Sequence, residues 1–589
     1  MTIPGRRLPL ALGLVLAGIA VAPVGAAAEP PATGGNELAS RIRRPIALAL
    51  SGGGTTLLVA NERSGTISVI DVPAGKRIVE HQVARALSDL IPLPDGVHYA
   101  AIDPEAGEIL LLEHRPGGLD VKARLGLGPD PVRIAILPGG RACAVASRWG
   151  RRLMIVDIEP AAGARALRLR RSIDIPFSPR EVLPLREGNA VLVADAFGGK
   201  LAIIDPLEGA ITSVRQIPGH NLRGLTVADG GATVILARQV SSRLATSSFD
   251  DVHWGDLMKN QVLSLRSDAI LDSAADPLRG SSWRDLDEVG HAAADPEDLA
   301  VDSKGRIVVA LAGVGEVAIL GDRPAPVVRI PAGTRPSTVA LGPKGDLAFV
   351  ADVEEDAVMV VPPGGGEVRV ISLGPRPEPT AVERGERFFT SAGLSHHGWM
   401  SCRSCHADGH TGGFSVDTFG DGSYGAPKLV PSLLGAGSTG PWGWLGNFRT
   451  LEDQIRASVE TTMRGKPPDA REVADLAAYV RSLRPPPPLA VASEASGRGT
   501  LVFRSKKCAT CHAGLALTTD GVKDVGFLDD AGNREFNPPS LRGIGQRTRF
   551  LHDGRASSLE AVFSEHKHPP GVGLTDLELC DLLAYLRTL

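Results

Sequence analysis

Four of the six cysteines in this chain fall into two identical spacings, Cys402-Arg403-Ser404-Cys405-His406 and Cys508-Ala509-Thr510-Cys511-His512. Two thiols three positions apart can add to the two vinyl groups of one porphyrin. The adjacent imidazole is then held beneath the iron as its proximal ligand. A redox dithiol needs no following histidine, and a structural zinc site needs a further Cys pair that neither copy has nearby. The spacing therefore predicts two covalently attached haem c groups. Cys402, Cys405, Cys508 and Cys511 are the attachment points, and His406 and His512 the proximal iron ligands. Cys143 and Cys580 remain; both have apolar sequence neighbours and read as buried thiols rather than a disulfide.

The chain of 589 residues is too long for one core, so three or four folding units are expected. A net charge of −4 argues against nucleic acid and against an anionic membrane surface as partner. Gly 69 and Pro 45 are high and aromatics only 4%, which suits many short strands and turns. Arg6 and Arg7 precede an apolar run over 8–22, and Ala26-Ala27-Ala28 offers a small-residue cleavage site. Residues 1–28 thus read as an export signal. The run is short for a membrane anchor, and no other segment approaches transmembrane length. With haem attachment taking place outside the cytoplasm, the mature chain is expected in the periplasm, without a transmembrane helix.

Those two motifs lie in the last third, and the elements before them form an array. Over 40–375 an apolar strand, a Gly-rich turn, a strand ending in V-A-x and another strand recur. The anchor residues are Ala60, Ala101, Ala146, Ala194, Ala237, Ala310 and Ala351, spaced by 41, 45, 48, 43, 73 and 41. A period in the low forties with strand alternation predicts a β-propeller of about seven blades, four strands each. The single spacing of 73 predicts an insertion of roughly thirty residues, within 240–295. It carries His253 and Trp254, which read either as a loop over a neighbouring site or as a solvated loop. The repeats resemble the YVTN class of bacterial propellers, with V-A-D or V-A-N in place of V-T-N.

The haem motifs sit in a duplication. Cys402 and Cys508 are 106 apart, as are the matching helical runs 475–483 and 581–589. Pro431-Ser432-Leu433 matches Pro539-Ser540-Leu541, and Leu451-Glu452 matches Leu559-Glu560, both at 108. The fold expected is therefore multidomain: an all-β propeller, then a mainly α region of two cytochrome c modules, 380–485 and 494–589. Each module begins with a helix leading into C-x-x-C-H and ends with an amphipathic helix carrying D-L-x-A-Y.

The second module contains Pro539-Ser540-Leu541-Arg542-Gly543-Ile544, then Phe550-Leu551-His552-Asp553-Gly554-Arg555. The first has Leu451-Glu452-Asp453-Gln454, and Trp444-Leu445-Gly446-Asn447 where W-D-G-R is usual. Over about 380–589 the chain resembles the bacterial di-haem cytochrome c peroxidases and the related MauG enzymes. The resemblance implies that the first haem meets peroxide and the second passes electrons to it.

It also implies where the sixth iron ligands are sought. In the family, the residue seven after the Leu of the second L-E run supplies Met or Tyr. Here that residue is His566, giving His512 and His566 as a bis-His pair, with His568 and His552 as alternatives and a solvated His566 as the bland reading. In the family a Glu ten after the Gln of L-E-x-Q assists peroxide cleavage. Here Gln454 plus ten is Arg464, and the nearest carboxylate is Glu460, so Gln454 and Glu460 are the candidate catalytic residues. Met463 could close the first iron or simply fill the core. His396, His397 and His410 flank this haem as lesser candidates. Trp442 and Trp444 match the region of a family Trp near the haems, and could carry an electron or pack. Some relatives hold calcium between the modules, but no dense carboxylate loop assigns it here. The implied function is a periplasmic oxidoreductase that moves electrons between two haems and reduces hydrogen peroxide at the first. The alternatives are an electron carrier using the propeller as a docking platform, or oxidation of a partner protein. A small cytochrome or cupredoxin is the expected redox partner.

Overall fold

The computed structural model describes residues 40–589 apart from 117, 186–188 and 323; the expected export signal lies outside them. Twenty-eight strands form seven four-stranded antiparallel sheets, each built from consecutive strands, over 45–82, 89–126, 131–174, 179–216, 220–285, 296–331 and 336–372. The first strands of successive sheets contact one another all the way round, Pro45–Leu50 meeting Pro336–Leu341 to complete the ring. This is a seven-bladed β-propeller.

The anchor alanines explain the period. Each lies in the second strand of its blade and is at most 1% exposed. Second and third strands are covered on both faces by neighbouring blades, so they read as unbroken apolar runs, as in Ala190–Asp195. Fourth strands face solvent on one side and alternate, as in Ala210–Gln216. Among the described residues no strand is shared between the ends of the array. Closure rests on packing of Leu57 and Val59 against Phe349 and Val358, and on the Asp356 carboxylate, which accepts the Arg43 and Arg44 backbone N–H groups at 3.0 and 2.8 Å.

The insertion is two excursions of the fifth blade. One, between Thr233–Ser241 and Met258–Arg266, carries the short helix Phe249–His253. The other holds the helix Ser267–Leu271.

After the propeller come two helix pairs of one design. Ala381–Thr390 packs on Ala470–Ser482, and Glu494–Ser505 on Asp576–Leu586. In both pairs an Arg-Gly dipeptide meets the Asp of D-L-x-A-Y. Arg384 binds Asp475 at 2.7 and 2.8 Å, and Arg498 binds Asp581 at 2.8 and 2.7 Å. Glycine is required beside each arginine: a Cβ on Gly385 or Gly499 would lie 1.9 or 2.0 Å from the Asp475 or Asp581 carbonyl oxygen. Cys143 is buried, but Cys580 is exposed on its helix, contrary to the expectation from its apolar neighbours. A period of 3.6 puts Cys580 on the opposite side from Leu582 and Leu586, which form the covered stripe. Among the described residues no helix is long and apolar enough to cross a membrane.

Candidate haem site

Both C-x-x-C-H motifs open onto a single cavity, whose wall includes Cys402, Cys405, His406, Cys508, Cys511 and His512. The first motif forms the one-turn helix Cys402–Cys405. His406 donates from Nδ1 to the Pro431 carbonyl at 2.9 Å. That bond fixes the tautomer and leaves Nε2 as a bare lone pair, the atom an iron needs. The Pro431-Ser432-Leu433 repeat thus has a purpose: it carries the acceptor that orients the ligand. Burial lowers the His406 pKa to about 4, so the ring is neutral. In the second module, His512 Nδ1 faces the Leu517 and Pro539 backbone without an aligned bond and is buried. Burial, followed by the charge of His568, brings its pKa to about 4.

The donor set fits two c-type haems. Each end offers two thiols, a neutral imidazole and apolar walls including Leu451 and Val459, or Leu541 and Phe550. The second module holds four buried nitrogens without a hydrogen-bond partner: His512 Nδ1, His552 Nε2, His566 Nε2 and His568 Nδ1. A metalloporphyrin would resolve part of this, since unpaired buried polar groups are costly.

The other expected residues are placed unequally. Met463 is 4% exposed, on the cavity wall, and packed in one cluster with Cys402 and Cys405. It caps a π-helical turn, Ser458–Thr462. Gln454 is on the wall, its amide donating to Ser458 Oγ at 3.1 Å. Glu460 is exposed and absent from the wall. Arg464 is drawn away, donating to the Ser247 carbonyl at 2.6 Å and to the Tyr424 hydroxyl. The carboxylates on the wall are Asp421, paired with Lys428 at 3.1 Å, and Asp524, paired with Arg534 at 3.2 Å. His568 is on the wall with His512, while His566 is not. His552 is on the wall too, stacked on Phe536 at 3.9 Å. Trp442 and Trp444 both face the cavity, and the Trp444 carbonyl accepts the Asn537 N–H at 2.7 Å, joining the modules.

Further residues at this site, marked by no motif, belong to the propeller. Asp295 Oδ1 accepts the Ser404 hydroxyl at 2.7 Å, and its other oxygen accepts that of Ser401. His220 and Asn221 both bond the Ser404 carbonyl at 3.0 Å. Arg403, an "x" of C-x-x-C, lies against Glu297 with one N–H···O of 2.9 Å and a second, shorter one. Arg180 binds Glu297 at 3.1 Å and Asp408 at 2.8 Å, and Arg148 also reaches Asp408 at 2.8 Å. Four blades therefore grip the first attachment loop. Burial alone would raise the Glu297 pKa, but the Arg403, Arg180 and Arg223 guanidiniums hold it at about 2.

This grip has a pH window. Burial lowers His220 to about 4, and burial with the Arg547 charge lowers His410 to about 3, against 6.5 for a free imidazole. Histidines with folded pKa values below the unfolded value leave the unfolded chain binding more protons under pH 6.5, so stability falls from there through pH 4. Glu297, depressed instead, loses its contribution only below its free value near 4.5. Asp298, raised to about 7 by burial, works in the opposite sense on global stability, so the window is read at the loop itself. Hydrogen-exchange protection of the amides of 401–411, corrected for intrinsic rates, is expected to be lower at pH 5 than at pH 7.5, and equal protection would contradict this.

Residues 379–485 match the family model described as di-haem cytochrome c peroxidase. The methylamine utilization protein MauG of Methylorubrum extorquens is 27% identical over 281 residues, covering 36% of this chain and 78% of that protein. MauG of Methylophilus methylotrophus is 24% identical over 288 residues, covering 36% and 84%. The C-terminal region belongs to the di-haem cytochrome c peroxidase/MauG family. Membership makes this MauG-family region a haem oxidoreductase unit, fused behind a propeller. Solved structures similar to the propeller include a chain of Kuenenia stuttgartiensis hydrazine synthase, at 19% identity and TM-score 0.47, covering 56% of this chain and 99% of that one. A streptogramin B lyase follows at 14% and 0.40, covering 54% and 93%.

Proposed function

We propose that this chain is a periplasmic di-haem electron-transfer oxidoreductase whose two irons are both closed at rest, by His406 with Met463 and by His512 with His568. A bound haem c supplies an iron that changes oxidation state by one electron, and it takes up peroxide only where a sixth position is open. The observation that carries the reading is Met463, buried on the wall of the cavity that both motifs share. Peroxide cleavage needs a group that holds and moves a proton beside the substrate. Gln454 can orient an oxygen but cannot exchange a proton, Glu460 faces solvent, and Asp421 and Asp524 are each held by a cation. The propeller's part is to fix the first attachment loop, so the docking face for a small cytochrome or cupredoxin is sought on the helical region.

Peroxide turnover, with Gln454 at the reacting oxygen and Met463 displaced, is the second reading; the presence of Gln454 on the wall favours it. Met463→Ala separates the two. If Met463 closes the iron, the variant gains a high-spin ferric signal that the parent lacks. An unchanged spectrum would remove Met463 as a ligand.

A further inference from the structure

His253, His396 and His397 offer three ring nitrogens that all lie within 4.8 Å of one another. We propose that these three imidazoles form a binding site for a divalent transition-metal ion of the zinc and copper class, clipping the fifth-blade excursion to the segment that leads into Cys402. The proposal is independent of how either haem iron is ligated.

The spacing suits a metal. His253 Nδ1 and His396 Nε2 are 3.0 Å apart. Two nitrogens each about 2.0–2.1 Å from a tetrahedral ion are about 3.3 Å apart, so the pair needs little movement to share one. A hydrogen bond between the two rings gives the same distance, but it does not explain the third ring. His397 stacks on His396 with centroids 3.8 Å apart, although consecutive side chains normally diverge. They face the same way because His397 takes the left-handed backbone conformation, φ 52°, followed by Gly398 at φ 77°. A non-glycine residue held there is a sparsely populated state that surrounding contacts must enforce. Those contacts are present: the His396 N–H donates to the Met463 carbonyl, and the His397 carbonyl accepts the Ala292 N–H, both at 3.0 Å. One anchor comes from the haem module and the other from the propeller.

The donor set selects the metal. Neutral imidazoles suit zinc and copper, whereas calcium and magnesium take oxygen ligands, and no carboxylate joins the group among the described residues. Three protein ligands leave a fourth position for water, and the exposed His397 puts that position at the surface. His253 belongs to the helix Phe249–His253, whose Ser248 cap accepts the Asp251 N–H, so its ring is carried on ordered backbone.

The test uses the full-length holoprotein, stripped with a chelator and titrated in separate arms with zinc chloride and copper sulfate. The expected result is one equivalent bound beyond the haem iron, a higher melting temperature with zinc, and a copper EPR signal split by imidazole nitrogens. His253→Ala and, separately, His397→Ala should each weaken binding on the order of 100-fold, at or beyond the upper range seen for outer-shell changes. The haem absorbance should stay intact, which shows that the variants fold. His291→Ala, an exposed histidine paired with Glu316 outside the cluster, should bind like the parent. No binding in either arm, or binding indifferent to both substitutions, would mean a hydrogen-bonded imidazole cluster only and overturn the proposal.

Discussion

Glu297→Ala is expected to destabilise the chain by about 3–5 kcal/mol, the usual result of deleting one partner of a buried ion pair. The cost arises from what remains. Arg403 and Arg223 are both buried, and with the carboxylate gone Arg403 keeps one ion pair, to an Asp408 that it shares with Arg180 and Arg148. The strain falls on the first attachment loop, so amides of 401–411 should lose hydrogen-exchange protection and haem content at Cys402 and Cys405 should drop. Glu297→Gln keeps the shape and some hydrogen bonds but loses the charge, and should fall between parent and alanine. A loss under about 1 kcal/mol, the range of a solvent-exposed pair, would mean that the propeller does not hold this loop.

His568→Ala carries the second large effect. His568 shares the cavity wall with His512; apart from the two proximal histidines, the other imidazole on that wall is His552, which is stacked on Phe536. Removing the ring should convert the His512 haem from low-spin to high-spin, with loss of the bis-imidazole EPR signal. Added imidazole should restore that signal. His566→Ala should leave it unchanged, since His566 is not on the wall. If the two variants behave the other way round, His566 is the ligand.

That contrast shows where sequence stopped being legible. Counting seven from Leu559 assumes helical spacing, but the helix ends at Ser564 and Lys567 has φ 52°. The turn carries His568, rather than His566, into the cavity. Glu460 fails for a related reason: in the π turn Ser458–Thr462 the wider spacing turns Glu460 outward while Met463 points in. The blades were readable because every anchor alanine sits in the same doubly covered strand, so burial writes the period into the chain. The helix pairs were readable from duplicated D-L-x-A-Y runs. The grip on the first motif was not: Arg403 and Glu297 are 106 residues apart, and no local pattern links an arginine inside C-x-x-C to a carboxylate in the sixth blade. Nor did spacing connect His253 with His396 and His397, which meet only because the fifth-blade excursion reaches the haem module.

The central claim is that both irons are closed at rest. The low-temperature EPR spectrum of the fully oxidised, full-length holoprotein tests it most directly. Two low-spin ferric signals, no high-spin ferric feature and no change on adding hydrogen peroxide are expected. A substantial high-spin signal that disappears with peroxide would contradict it and make the His406 end a peroxide site.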